Sequence, residues 1–203
     1  MTNTALLERR NRLFGKGSSL FYEQPIQLVR GEGVFVYDES GRRYVDLFNN
    51  VPCVGHCHPH FVKTVSSQLK TLNVHSRYLH QSILDYADRL ISTHHDSIES
   101  VIFSCTGTEA NEIALQMARL ATGGRGIICT DATYHGNSAE VSKLTGAKSN
   151  QGDVRSIRFP ETYRTDTEDP LNHHLRELQL VIESFREDGT PFAGMLVCPI
   201  LAN

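Results

Sequence analysis

The stretch VIFSCTGTEANE, residues 101–112, decides the reading of this chain. Val101, Ile102 and Phe103 form a short apolar run. Ser104, Cys105, Thr106, Gly107 and Thr108 are all small. Glu109 follows Thr106 by three residues, the spacing of a capping box at a helix start. Ala110, Ile113, Ala114, Met117, Ala118 and Ala121 then recur at helical spacing. The expected structure is a buried strand at 100–104, a small-residue turn, and a helix to about Thr122 that stops at Gly123-Gly124. Such a turn leaves amide N–H groups free at the helix start, where an anion, most often phosphate, is accommodated. An ordinary strand–turn–helix connection has the same pattern, and the pattern alone does not separate the two readings.

Outward from that stretch, the second half of the chain alternates strand and helix. GIICT (126–130) reads as the next strand, with Tyr134-His135-Gly136 in the loop after it. A helix is expected over about 137–145, a loop over 146–153, and a strand at Val154–Phe159. Asp169-Pro170 caps a helix carrying Leu171, Leu175, Leu178, Ile182 and Phe185, which stops at Gly189. FAGMLVC (192–198) reads as a further buried strand. This alternation implies an α/β architecture with parallel strands joined by crossovers. Ligands in such sheets sit beyond the carboxyl ends of the strands, so the 105–109 turn and the 131–136 loop are expected to share one crevice.

Upstream, residues 1–20 are polar with little periodicity. Two β runs, Val34–Tyr37 and Arg43–Leu47, flank Asp38-Glu39-Ser40-Gly41 and predict a hairpin with Gly41 in the tight position. NNVPCVGHCHPHF (49–61) is a structured loop. A helix opens at Pro59, with Phe61, Val62, Val65 and Leu69 on one face. A connector follows at 73–80, and a second helix runs from about Ser82.

At 203 residues the chain is long enough to bury a real core. Its formal net charge of −3 gives no footprint for nucleic acid or an anionic membrane surface, and no apolar run approaches a membrane span. The N-terminus lacks the apolar core of a secretory signal. Of five cysteines, Cys105, Cys129 and Cys198 lie in or beside apolar runs and are expected as buried free thiols. That suits a reducing compartment, with the cytoplasm as the expected location.

Several chemistries are weighed and set aside. Cys53, His56, Cys57, His58 and His60 are zinc-type residues, but alternate residues in so tight a loop do not readily converge on one ion, so no metal is expected. Ser104, Ser138 and Ser142 lack a nucleophile-elbow context. No Walker lysine follows Gly107, and no G-x-G-x-x-G turn is present. A phosphate cradle with an aromatic, Tyr134, on a neighbouring strand-end loop remains, and this combination fits pyridoxal phosphate. A tyrosine on a surface loop would read the same way.

SCTGTEANE (104–112), continuing IALQMARLATG, resembles the phosphate-binding turn and helix of the class III pyridoxal-phosphate aminotransferases, the ornithine and 4-aminobutyrate aminotransferase family. GEGVFVYDESGRRYVDL (31–47) resembles the family's N-terminal hairpin, VGHCHPHF (54–61) its Gly-His-x-His-Pro loop, and TYHG (133–136) the loop whose aromatic stacks on the cofactor. NNVPCVGHCHP and the segments at 76–80 and 85–90 are most similar to the branch of alanine–glyoxylate aminotransferases and amino-alcohol-phosphate phospho-lyases. The resemblance implies the N-terminal half of a type I PLP-transferase fold. Residues 1–60 would be the hairpin-bearing segment of the small domain, and 61–203 the first part of a mostly parallel, PLP-binding large domain. It implies that Gly107 and Thr108 bind the cofactor phosphate, that Tyr134 stacks on the ring, and that His135 and Asn111 support the pocket. Arg77 is implied as a contact for an acidic group of the substrate or for a partner subunit. Small amino and oxo-acid substrates and a homodimer follow from the resemblance alone.

The departures set the remaining expectations. Family members are about twice this length. Their cofactor-pairing aspartate and Schiff-base lysine lie beyond the last strand here, and Lys16, Lys63, Lys70, Lys143 and Lys148 do not stand in that lysine's context. The chain ends at Pro199-Ile200-Leu201-Ala202-Asn203 with no helix to cover that strand, as a truncated chain would. Cys198-Pro199 stands where many relatives carry Glu-Pro. No catalytic residue is therefore expected within the chain, and the isolated chain is expected to be inactive. Three functions stay open: amino-group transfer between an amino acid or amine and an oxo acid, elimination of phosphate from a phosphorylated amino alcohol, and a non-catalytic remnant.

Overall fold

The computed structural model describes residues 2–15, 17, 20, 22–49, 52–146, 152–161, 163 and 167–199. Asn50, Val51, Lys16, Lys148, most of the expected 146–153 loop and the terminal residues 200–203 lie outside them. The chain forms two compact units, Met1–Ile83 and Leu84–Asn203. The division between these units falls within the helix Gln81–Ile91.

The first unit opens with helix α1 (Asn3–Phe14). Thr2 caps it by accepting the Ala5 N–H at 3.3 Å, and Gly15 ends it at φ 77°. This helix lies where the sequence predicts only a polar arm. Its apolar residues, Ala5, Leu6, Leu7, Leu13 and Phe14, fall in two clusters rather than at steady helical spacing, and none is buried. Strands β1 (Leu28–Glu32), β2 (Phe35–Asp38) and β3 (Arg43–Val45) form an antiparallel sheet in that order. The predicted hairpin is β2–β3, with Phe35 opposite Val45 and Tyr37 opposite Arg43. Gly41 sits at φ 82°. The Asp38 carboxylate organises the turn, accepting from Ser40 N, Ser40 Oγ, Arg42 N and the Tyr44 hydroxyl. These bonds, Ser40 first and then Tyr44, hold its carboxyl below the usual carboxylate range.

Asp46 performs the same task for the loop that follows. It accepts from Phe48 N, Asn49 N and Asn49 Nδ2. It also accepts from His56 Nε2 at 2.6 Å. His56 is pinned further by paired backbone bonds with Gly33, and a Cβ at Gly31 would come within 2.7 Å of its side chain. One member of the Cys/His cluster is thus an anchor for the loop. Among the described residues no three His, Cys, Asp or Glu side chains group so as to hold a metal ion.

The Asp46 carboxyl is held well below its ordinary range, by the Asn49 N–H first and by His56 next. A depressed carboxyl stabilises the fold above its unfolded-state value, about 3.9. That contribution is lost as pH falls through the lower folded-state value. Asp46→Asn should therefore lower the melting temperature at neutral pH. The gap from the native chain should close as pH falls below about 4, which thermal unfolding across pH would check.

Helix α2 (Pro59–Thr71) starts at its proline as the sequence predicts. Helix α3 (Gln81–Ile91) spans the division between the units.

In the second unit, α4 (Gly107–Thr122), β4 (Gly126–Thr130), β5 (Val154–Ile157), α5 (Pro170–Glu187) and β6 (Phe192–Leu196) follow in order. The sheet order is β5-β4-β6, and both pairings are parallel. All five β4 residues are buried, as a central strand covered on both faces requires. Their alternation assigns the faces. Ile127 and Cys129 pack with Leu115 of α4 and with Val141 and Leu144. Ile128 packs on the other side with Ile157, Val181 and Phe185. Gly126 is required there, because a Cβ would meet the Phe185 ring at 2.8 Å. Asp169 caps α5 by accepting the Asn172 N–H at 3.2 Å, with Pro170 next.

Four sequence expectations need correction here. Val101–Ser104 is not a strand. An apolar run becomes a strand only when another strand satisfies its backbone, and no described strand lies beside this one. Ile102 and Phe103 are exposed, with Phe103 stacked on Tyr86 at 5.4 Å. Cys105 is accordingly exposed, and Cys198 is half-buried; only Cys129 of the three is buried. The helix expected over 137–145 is a single 3₁₀ turn, Val141–Leu144, because side-chain bonds to α4 fix the residues before it. β6 ends at Leu196 and is only partly buried; among the described strands it pairs with β4 alone.

Candidate functional site

The N-terminus of α4 is built by its cap. Thr106 Oγ1 accepts the Glu109 N–H at 3.1 Å. Glu109 reaches back to accept the Cys105 N–H at 2.8 Å, one residue before the position a standard capping box uses. The first backbone bond into the helix is Ala110 N to Thr106 O. The Gly107 and Thr108 amides precede it, so no carbonyl of the helix takes them. The space above Gly107 is open: a Cβ there would meet no atom within 4 Å. Two outward amides at the positive end of a 16-residue helix form a place for an oxyanion.

The 133–138 loop lies directly against this helix start. Gly136 adopts φ 140°, and a Cβ on it would come within 2.5 Å of Thr108 Oγ1 and 2.9 Å of Thr108 Cα. Only glycine brings the loop this close. Asn111 Nδ2 donates to the His135 carbonyl at 2.8 Å. The Asn137 N–H points at Thr108 Oγ1 at 3.4 Å. Ser138 Oγ donates to Glu112 Oε2 at 2.5 Å. Further along, Arg119 pairs with Glu140 at 3.0 Å, and Glu140 also pairs with Lys143. Side chains one turn apart on a single α4 face, at 108, 111, 112, 115 and 119, hold the whole 135–144 segment. The turn and the loop therefore meet at the helix start.

Within the loop, Tyr134 and His135 face opposite fates. Tyr134 is 54% exposed, and its hydroxyl accepts from Asn137 Nδ2 at 2.8 Å. His135 is buried, with Nε2 at 2.9 Å from Thr133 Oγ1. The Thr133 hydroxyl already donates its one proton to the Thr130 carbonyl. It must accept from His135, so the imidazole carries its proton on Nε2. Burial lowers the His135 pKa and keeps the ring neutral. The His135 N–H donates to Thr145 Oγ1, which stitches the loop to the residues after the 3₁₀ turn.

Gly107, Thr108, Asn111, Tyr134 and His135 are thus brought together. Arg77 belongs to the other unit, exposed in the turn after α2, with its backbone N–H on His75 Nδ1 at 3.2 Å. Sequence reasoning misses Glu112, Thr133, Asn137 and Ser138. For Glu112 a signal is available: it shares the helical face of Thr108, Asn111 and Leu115, where a polar group needs a partner. The set offers two amides, a threonine hydroxyl and an exposed aromatic. Both nearby carboxylates, Glu109 and Glu112, are already engaged.

The chain is similar in sequence and fold to known proteins. The family profile "Aminotransferase class-III" matches residues 20–203. An alanine–glyoxylate aminotransferase 2-like protein of Drosophila melanogaster is 36% identical over 152 residues, covering 74% of this chain and 31% of its own length. Ethanolamine-phosphate phospho-lyase homolog 1 of Caenorhabditis elegans is 32% identical over 152 residues, 74% of this chain and 32% of its own. A phospholyase from Arthrobacter, solved in complex with phosphoethanolamine, superposes with a TM-score of 0.87 at 36% identity. That match covers 96% of this chain and 48% of the solved one. The chain thus spans about a third of the length of these curated relatives and about half of the solved structure. Its α/β architecture with a parallel sheet is part of the fold of those enzymes. The chain belongs to the class III aminotransferases, a pyridoxal-phosphate-dependent family.

Proposed function

We propose that this chain binds pyridoxal 5'-phosphate at the start of α4, as part of an enzyme that transfers an amino group between an amino acid or amine and an oxo acid. The observation that carries this reading is the contact of Gly136 with Thr108, which sets an exposed tyrosine beside two open helix-start amides. Bound there, the cofactor would supply an electron sink for the carbon that bears the amino group.

The Gly107 and Thr108 amides bind the phosphate. The Thr108 hydroxyl, with Asn137 N–H directed at its oxygen, keeps its own proton to donate to a phosphate oxygen. Tyr134 stacks on the ring. Asn111 and His135 support the pocket, Asn111 by holding the loop backbone and neutral His135 by its bond to Thr133. Arg77 takes an acidic group of the substrate or of a partner subunit. In this reading residues 1–60 are part of the small domain, and 61–203 are the first part of the PLP-binding large domain. The assembly is a homodimer acting in the cytoplasm on small amino and oxo acids, without nucleic-acid or membrane partners. Among the described residues no helix is long and apolar enough to cross a membrane.

A second reading is elimination of phosphate from a phosphorylated amino alcohol. The 0.87 TM-score and 36% identity to the Arthrobacter phospholyase support it. The isolated 203-residue chain is proposed to be inactive in either reaction, because none of its lysines stands in the context of the family's cofactor lysine.

Equilibrium dialysis tests the site. The native chain is expected to bind pyridoxal 5'-phosphate saturably, in competition with inorganic phosphate. Thr108→Val, which keeps the shape and removes the hydroxyl, should weaken binding by about tenfold, the effect of one hydrogen bond to a charged group. Unsaturable binding, or an unchanged affinity in the variant, would contradict the assignment. Release of phosphate from O-phosphoethanolamine and oxo-acid formation from amino acids, assayed side by side on the loaded chain, should both be silent. Turnover in either would overturn the inactivity and identify the reaction.

A further inference from the structure

We infer that Asn137 is a positioning residue for the ring of the bound cofactor, acting through Tyr134. The inference rests on the pyridoxal-phosphate reading of this site.

Tyr134 has the problem common to any stacking platform that must stay open to its ligand. At 54% exposure, packing holds little of its ring, so something else must fix where it points. The one side-chain bond to its hydroxyl among the described residues comes from Asn137 Nδ2 at 2.8 Å. Asn137 is itself held firmly on both sides. The preceding residue, Gly136, rests on the Thr108 backbone, and the following one, Ser138, is bound to Glu112 at 2.5 Å. Its own N–H is directed at Thr108 Oγ1 at 3.4 Å. The backbone of residue 137 is thus fixed to the phosphate end of the site while its exposed side chain reaches three residues back to the phenol. One residue sets the distance between the ring platform and the helix-start amides. A ligand that spans both feels that distance, and a bare phosphate does not.

The test uses the full chain in five forms: native, Asn137→Ala, Tyr134→Phe, Tyr134→Ala and the double variant Asn137→Ala/Tyr134→Phe. Each is titrated with pyridoxal 5'-phosphate and, separately, with inorganic phosphate. Asn137→Ala is expected to weaken pyridoxal 5'-phosphate binding about fivefold, the effect of one neutral hydrogen bond, and to leave inorganic phosphate affinity within about twofold. In the Tyr134→Phe background, where no hydroxyl remains, Asn137→Ala should have no further effect. Asn137→Ser, too short to reach the phenol, should match alanine and serves if the alanine variant folds poorly. Equal weakening of both ligands, the same loss in the Tyr134→Phe background, or no loss at all would overturn the role of Asn137. If native protein binds the cofactor and Tyr134→Ala weakens it while Asn137→Ala does not, the positioning role alone fails. If the native chain binds no cofactor, or Tyr134→Ala leaves binding unchanged, the site reading fails and this inference with it.

Discussion

Gly136→Ala is expected to remove cofactor binding while leaving the chain folded. The added Cβ would lie 2.5 Å from Thr108 Oγ1 and 2.9 Å from Thr108 Cα. Rotation of the Thr108 side chain moves Oγ1 but not Cα, which is main chain in the first turn of α4. The residue also sits at φ 140°, a conformation that L side chains rarely adopt, at a cost of about 1–3 kcal/mol. The least costly relief is for the loop to leave the helix start. That breaks the Asn111–His135 bond and the Asn137 approach to Thr108, and takes Tyr134 away from the helix start. Affinity for pyridoxal 5'-phosphate should fall by more than about tenfold. The melting temperature should fall far less than in a core variant, because the loop is not part of the sheet. Dialysis and thermal unfolding on the same sample separate the two effects.

The largest loss of stability is expected from Phe185→Ala. This ring is 1% exposed and forms the centre of the α5 face of the sheet with Ile128, Ile157 and Val181. Its edge fills the space left by Gly126, and the Arg155 guanidinium lies 3.9 Å from its centroid. Removing it leaves a cavity under the central strand and strips the cover from a buried arginine. Phe-to-Ala substitutions at such sites cost about 3–5 kcal/mol, a large part of the stability of an ordinary domain. The melting temperature should drop on the order of 10–20 °C, as read by circular dichroism. Phe185→Leu, which refills most of the volume, should recover most of that loss.

What the sequence makes legible follows from how local each cause is. Helix α4 is legible at both ends: Thr106 and Glu109 are three residues apart, and Gly123 supplies the left-handed stop at φ 67°. Asp169-Pro170 announces α5, Asp38–Gly41 announces the β2–β3 turn, and the unbroken run GIICT announces a strand covered on both faces. Val101–Ser104 shows the limit of that logic. Its apolar residues are those of a strand, but a strand is defined by a neighbour, and composition does not say whether one lies beside it. Strand β1 escapes notice because Leu28–Glu32 lacks alternation; its pairing with β2 makes it a strand.

The site divides along the same line. The small-residue turn and the Tyr134 loop are expected to share a crevice because both follow sheet strands. They do meet, even though the first of those segments does not form its strand. The particular bonds that join them are beyond reach of pattern. Ser138 and Glu112 are 26 residues apart in sequence, and they meet only because Gly136 takes a backbone conformation that turns the chain back over α4. The same turn brings Asn137 to Tyr134.

The most direct test of the site is the response of the backbone amides to the cofactor. In ¹H–¹⁵N spectra of the 203-residue chain, addition of pyridoxal 5'-phosphate should shift the Gly107 and Thr108 amides first and farthest. The 134–137 amides should follow at the same midpoint. Inorganic phosphate should move Gly107 and Thr108 alone. If the cofactor leaves those two amides unmoved, or shifts instead the residues around the Asp46–His56 loop of the first unit, the assignment of α4 as the phosphate site is contradicted.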